Sequence, residues 1–233
     1  MLVSRFLTLV VLLLSIGGNA FARERAIPPA TLKSLAASME GVKALAMCYD
    51  LPELWASSEG IAEGVRLLPL ARRHSLIGVR CGHGAYNEAW LLFAWDGRSD
   101  TIPKLILFPR PDPEQDLEEV RQAGAVYMRD FNTASSVLYV LQKLLGDGSG
   151  GFYAEYRIDP KTFTPRLVLA ISKWDADHEN GYNFVRGKRP SGKGWRHTKG
   201  GARGCLIDVR KLDEPASASC SSWGPAAVQK GDR

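Results

Sequence analysis

The chain has 233 residues, of which 45% are hydrophobic and 24% charged, with 23 glycines, 13 prolines, 4 cysteines and a net charge of +5. This composition excludes a collagen-like or disordered chain and is that of a globular protein. The length suffices to bury a full core in one large domain or two small ones.

The first 22 residues read as a secretory signal. Arg5 supplies a positive start, Phe6 to Ile16 is an uncharged apolar run, and Ala20-Phe21-Ala22 offers small residues flanking a cleavage point before Arg23. A membrane anchor is the alternative, but eleven helical residues rise only about 16 Å against a hydrocarbon core of about 30 Å. Cleavage leaves 211 residues at net charge +4, since Arg5 is the one charge removed. The expectation is a periplasmic or secreted chain with one globular domain over 23–233 and no further membrane span.

Export makes the cysteines informative. Cys48, Cys81, Cys205 and Cys220 all follow the cleavage point, and an even count in an oxidising space points to disulfides. Three pairings are possible, of which Cys48–Cys81 with Cys205–Cys220 closes the shorter loops. A zinc site would need close-set ligand pairs, but no two cysteines lie nearer than fifteen positions and His74, His83, His178 and His197 are scattered. No metal and no cofactor is expected.

In chain order, Leu32, Leu35, Ala36 and Met39 recur at helical spacing, with Pro29 near the start and Gly41 as a candidate C-cap. From about residue 64 short apolar runs predict strands at Val65–Leu70, Ser75–Cys81, Glu88–Trp95, Lys104–Phe108, Val126–Phe131, Val137–Leu144, Phe152–Ile158 and Arg166–Ser172. Glu88–Trp95 is apolar on both faces and belongs in the middle of a sheet. A surface helix is predicted at Asp112–Gln122, with Asp112 as cap, Pro113 in its first position and four acids near its positive end. Short gaps favour antiparallel hairpins. The expected class is α+β and mainly antiparallel β, a hairpin-built sheet with a short N-terminal helical segment and one surface helix.

A repeat runs through this pattern. Gly84-Ala85-Tyr86-Asn87 precedes a strand, the Asp96-Gly97 turn and a second strand after Pro103; Gly150-Gly151-Phe152-Tyr153 precedes a strand, the Asp159-Pro160 turn and a second strand from Pro165. Gly181-Tyr182-Asn183 echoes the first element. Strand, tight turn, strand is the unit this implies, although two unrelated hairpins would give the same look.

The run Cys81-Gly82-His83-Gly84-Ala85-Tyr86-Asn87, its apolar strand, the Asp96-Gly97 turn and Leu107-Phe108-Pro109-Arg110-Pro111-Asp112 resemble a bacterial secreted family, domain of unknown function 1176. Phe131-Asn132 and Leu145 to Gly151 are similar to a second element of that family, with Gly148 where the family has a cysteine. The resemblance covers roughly residues 75–160. It implies export and a shared fold, and it carries no activity or catalytic residue.

Three segments concentrate functional groups. In the turn Gly84, Ala85, Tyr86, Asn87 and its flanks, His83 would be a general base oriented by Glu88 or Asp50, with Asn87 polarising a carbonyl. A structural role needs less: Gly82 and Gly84 permit positive φ, Asn87 tolerates a left-handed conformation and can bond the backbone, and Tyr86 would cover a disulfide. Residues 186–203 carry Arg186, Lys188, Arg189, Lys193, Arg196, Lys199 and Arg203 without one acid, with Trp195 as an aromatic surface and five glycines keeping the segment mobile. This is a grip for an anionic envelope polymer or an acidic protein surface, or else a solvated loop, or one neutralised by the acids near Glu114–Glu119. Nucleic acid is not expected, because one aromatic does not make a stacking platform. Asp175, Asp177 and Glu179 alternate like calcium ligands but depart from the loop pattern at the glycine, and a solvated acidic turn accounts for them.

The reading that results is an exported, non-enzymatic binding or accessory module for an anionic envelope component or partner protein. The alternatives are an envelope-directed hydrolase using His83, Glu88 and nearby carboxylates, and an exported inhibitor inserting a protruding loop 186–203 into an acidic cleft.

Overall fold

A computed structural model of the chain describes residues 27–42, 57–71, 73–111, 120–173, 181–198 and 205–207. The signal segment, Cys48, Cys220, Lys199, Arg203 and the 175–179 carboxylates lie outside them.

The fold is mainly antiparallel β. Helix α1 spans Pro29–Val42 and α2 spans Ser58–Gly64. α1 starts at the proline of the sequence reading and runs one residue past Gly41. The Ser57 side chain caps α2 by accepting from the Gly60 amide at 2.9 Å.

Twelve strands follow: β1 Val65–Pro69, β2 Ser75–His83, β3 Glu88–Trp95, β4 Lys104–Pro111, β5 Val120–Ala123, β6 Ala125–Val126, β7 Met128–Asn132, β8 Val137–Lys143, β9 Gly151–Ile158, β10 Pro165–Lys173, β11 Arg196–Thr198 and β12 Cys205–Ile207. The first sheet runs β1-β2-β3-β4-β12, with β5 joined to β4 and β6 to β3; the second runs β11-β10-β9-β8-β7. Every described pairing is antiparallel.

The predicted surface helix is corrected where it can be seen. Val120 to Gln122 are strand, because β5 pairs with the outer end of β4, setting Arg110 opposite Arg121; residues 112–119 lie outside the description.

Among the described residues three apolar cores stack on one another. The first fills the space between the sheets, where Trp90, Leu92, Ile106 and Phe108 meet Leu138, Val140, Phe152, Tyr156 and Leu167. The second lies on the far face of the first sheet, where Leu35 and Met39 of α1 cover Ile77, Val79, Cys81, Leu91, Phe93 and Leu105. The third lies on the far face of the second sheet, where Tyr182 and Trp195 cover Leu141, Tyr153, Leu169 and Ile171. Both sheets are therefore covered on both faces, which is why β3 is apolar from Ala89 onward: Trp90, Leu92 and Ala94 enter the first core and Leu91, Phe93 and Trp95 the second.

No helix among the described residues is long and apolar enough to cross a membrane.

Candidate functional site

The segment 181–195 lies across the outer face of the second sheet as a strap. Successive strands present rows of side chains there: Asp130 (β7), Tyr139 (β8), Glu155 (β9) in one row, then Leu141, Tyr153, Ile171, His197 in the next. Two arginines of the strap dock on the two acids of the first row. Arg186 forks onto both oxygens of Asp130, with one bond at 2.6 Å. Arg189 forks onto Glu155 with both bonds at 2.7 Å, and the Tyr153 hydroxyl donates to the same carboxylate at 2.8 Å. Planar guanidinium against planar carboxylate fixes direction as well as distance.

The acids titrate accordingly. Arg186 hydrogen bonding outweighs burial and brings the Asp130 carboxyl below its ordinary range. Burial pushes Glu155 up, but the bonds from Arg189 and Tyr153 together with the Arg189 charge carry it below the usual value. Burial and the neighbouring Glu155 raise the Tyr153 phenol far above its ordinary value.

Trp195 is only 7% exposed and packs edge-on to Tyr182, with ring centroids 6.4 Å apart. It is part of the third core rather than an outward aromatic surface, because the sheet beneath it offers Tyr153 and Ile171 to bury against. Pro190 and Tyr182 are buried with it, while Arg186, Lys188, Arg189, Lys193 and Arg196 are all exposed. The glycines of the segment set turns: Gly187, Gly192 and Gly194 have φ of 81°, 104° and 81°. The charge of the strap is neutralised in part from within, by Asp130 and Glu155. The strap also lies flat, where the inhibitor reading asks for a protruding loop.

The turn at 84–87 is built differently from its sequence reading. Gly84 has no positive φ and Gly82 lies in β2. Asn87 is not left-handed either. Its side chain reaches across to the second sheet, donating to the Lys143 carbonyl at 2.9 Å and accepting from the Lys143 amide at 2.7 Å. Tyr86 lies against Gly146, where an added Cβ would stand 2.8 Å from the ring, and remains 50% exposed. Arg129 donates to the Tyr86 carbonyl.

The Lys143 ammonium donates to the Gly146 carbonyl at 3.0 Å and to Asn183 Oδ1 at 2.6 Å. The asparagines of the two repeated Tyr-Asn elements thus converge on one lysine. Burial and the neighbouring Arg129 charge lower Lys143 below the ordinary lysine range, and Asp147 opposes them.

His83 and Glu88 are cross-strand partners at the turn end of the β2–β3 hairpin, with His83 exposed and no hydrogen bond between the two side chains. Among the described residues no group of three His, Cys, Asp or Glu could hold a metal ion.

Cys81 is fully buried in the second core, and there is no free cysteine among the described residues. Cys205 stands on β12 opposite Leu107, three strand steps from β2. Three steps span about 14 Å, beyond the roughly 7 Å that a disulfide tolerates between Cα atoms; Cys81 and Cys205 are not partners.

Sequence reasoning missed Asp130, Glu155, Arg129, Lys143 and Asn183. The one available signal was Glu155, a lone acid in the otherwise apolar and aromatic start of β9, Gly151 to Tyr156.

Compared with protein-family models, curated proteins and solved structures, the chain matches none.

Proposed function

We propose that the chain is an exported, non-enzymatic binding or accessory module of the bacterial envelope, built as one domain over 23–233 and related in fold to the domain of unknown function 1176 family. Its partner is an anionic envelope component or an acidic protein surface. The observation that carries this reading is the sidedness of the strap. Its aromatic anchors Tyr182 and Trp195 are buried on the sheet while its four cations, Arg186, Lys188, Arg189 and Lys193, are exposed, and the two acids beneath them are engaged by Arg186 and Arg189. A cationic surface held on a packed layer meets an anionic partner without first ordering a loop.

Two disulfides staple this module. Sheet order removes Cys205 as a partner of Cys81, and α1, which covers Cys81, ends six positions before Cys48. The pairs are Cys48–Cys81 and Cys205–Cys220.

The test is co-sedimentation of the mature chain with lipopolysaccharide vesicles and with neutral lipid vesicles. Replacing Lys188, Lys193 and Lys199 together by Gln leaves both guanidinium forks intact. The expected result is salt-sensitive binding to the anionic vesicles that the triple variant loses. Equal binding of the variant and the native chain overturns the reading.

A further inference from the structure

Two cations stand side by side at the 84–87 turn with no carboxylate partner among the described residues. Among the described residues Arg129 makes one hydrogen bond, to the Tyr86 carbonyl, and no ion pair. Lys143 spends two of its three N–H donors on Gly146 and Asn183. Their charges repel, since Arg129 is among the influences that lower Lys143. The nearby Asp147 carboxylate opposes this and accepts from the Ser149 amide at 2.8 Å. Elsewhere on this face the described arginines of the strap meet carboxylates. Arg129 and Lys143 are instead held together by structure: Asn87 fixes the Lys143 backbone, and Arg129 is tied to the turn.

Beside them lies Tyr86, half exposed, with its ring held over Gly146 and no hydrogen bond to its hydroxyl. An exposed aromatic held in place by a glycine is a flat apolar platform with a polar edge. Next to it stand two cations with unused donors and an asparagine amide. A flat apolar face, amide hydrogen-bonding groups and fixed positive charge match a sugar ring that bears an acidic substituent.

The geometry points to a binding site for an acidic saccharide at Tyr86, Arg129 and Lys143, with the ring on Tyr86 and the carboxylate or phosphate between the two cations. This rests on the envelope-binding reading and narrows its partner to a glycan. Asn183 ties the site to the strap, so both belong to one positive surface.

The experiment is titration of the mature chain, followed by NMR, with oligogalacturonate as a carboxylate source and a phosphorylated mannan as a phosphate source. Neutral mannan and inorganic polyphosphate serve as controls. The variants are Tyr86→Ala, Arg129→Gln and the strap variant with Lys188, Lys193 and Lys199 changed to Gln, each checked for unchanged thermal unfolding. The expected result is binding to one or both acidic saccharides that weakens at least about fivefold in each of Tyr86→Ala and Arg129→Gln, with neutral mannan weaker by a similar factor.

The Tyr86→Ala arm separates a sugar site from a bare charge site. Binding that survives Tyr86→Ala, or polyphosphate binding equal to that of the saccharides, overturns the inference. Loss in the strap variant alone also overturns it but leaves the envelope-binding reading standing. A chain that binds no anionic polymer at all overturns both. If Arg129→Gln unfolds the chain, Arg129→Lys replaces it. Retained charge with a lost fork then reads as weaker binding if the inference holds, and as unchanged binding if it does not.

Discussion

The amide side chain of Asn87 forms two hydrogen bonds with the backbone of Lys143, donating at 2.9 Å and accepting at 2.7 Å. It imitates the paired bonds of one antiparallel residue pair, but between two different sheets. The hairpin of the first sheet is joined in this way to the end of β8 in the second.

Asn87→Ala leaves a partly buried N–H and carbonyl of Lys143 without partners. The expected cost is about 1–3 kcal/mol, read as a lower urea midpoint at unchanged slope. Asn87→Asp keeps the acceptor for the Lys143 amide and loses the donor, so it falls between the native chain and Asn87→Ala. An Asn87→Ala variant as stable as the native chain contradicts the clamp.

Gly148 and Gly187 separate two costs that glycine avoids. Both have positive φ, at 74° and 81°. A Cβ at Gly148 would stand 1.8 Å from the Tyr182 carbonyl oxygen, whereas one at Gly187 meets nothing within 4 Å. Gly187→Ala is expected to cost about 1–2 kcal/mol from conformation alone. Gly148→Ala must also push the strap away from the sheet, so it costs more and changes near-ultraviolet circular dichroism from Tyr182 and Trp195. Equal effects of the two substitutions would contradict the close approach.

The fork between Arg189 and Glu155 is a partly buried ion pair with one half-exposed partner. Arg189→Met strands the Glu155 carboxylate, which is 8% exposed as a residue, with the Tyr153 hydroxyl alone. The expected loss is about 1–2 kcal/mol, below the full value of a buried pair because solvent reaches the guanidinium. In a double-mutant cycle, Glu155→Gln with Arg189→Met should be less harmful than the two single losses added together; strict additivity would show that the fork is not coupled.

Acid weakens the same contact. Asp130 and Glu155 both have folded-state values below their ordinary 3.8 and 4.5. A depressed carboxyl contributes stability above its unfolded value and loses it as pH falls toward the folded one. Stability should therefore hold above about pH 5 and decline below the unfolded values, and Arg189→Met should flatten that decline. Denaturant midpoints measured across this range, with Trp195 among the fluorescent reporters, check it; identical profiles for the two proteins count against the linkage.

The disulfide pairing is open to peptide mapping of the unreduced chain. A Cys48–Cys81 linked peptide is expected, and a Cys81–Cys220 peptide overturns the assignment.

Most strands were legible because burial on one or two faces writes a period of two, or an unbroken apolar run, into the chain. β3 matches its predicted range, β2, β4, β9 and β10 extend theirs by one to three residues, and β1 and β8 each stop one residue short. What stayed hidden was structure set by distant partners. β5 is a strand because the outer end of β4 pairs with it, while its flanking acids and proline write a helix start. Arg186 and Arg189 look like a free basic run until β7 and β9 bring Asp130 and Glu155 beneath them. Asn87 was read as a local turn residue because its partner, Lys143, is 56 positions away. The repeat of Tyr-Asn elements was legible, but their convergence on one lysine depends on the packing of the two sheets.

The two covers of the molecule come from opposite ends of the described chain: α1 from residues 29–42 and the strap from residues 181–195. A polypeptide emerging from its N-terminus brings α1 to β2 and β3 early, whereas Tyr139, Tyr153 and Ile171 of β8, β9 and β10 gain Tyr182 and Trp195 as cover only when the strap follows. A fragment ending at Lys173 would present that face as a continuous apolar patch and self-associate. The strap is thus a cover that the second sheet needs, and its exposed cations are carried on the layer that seals that face.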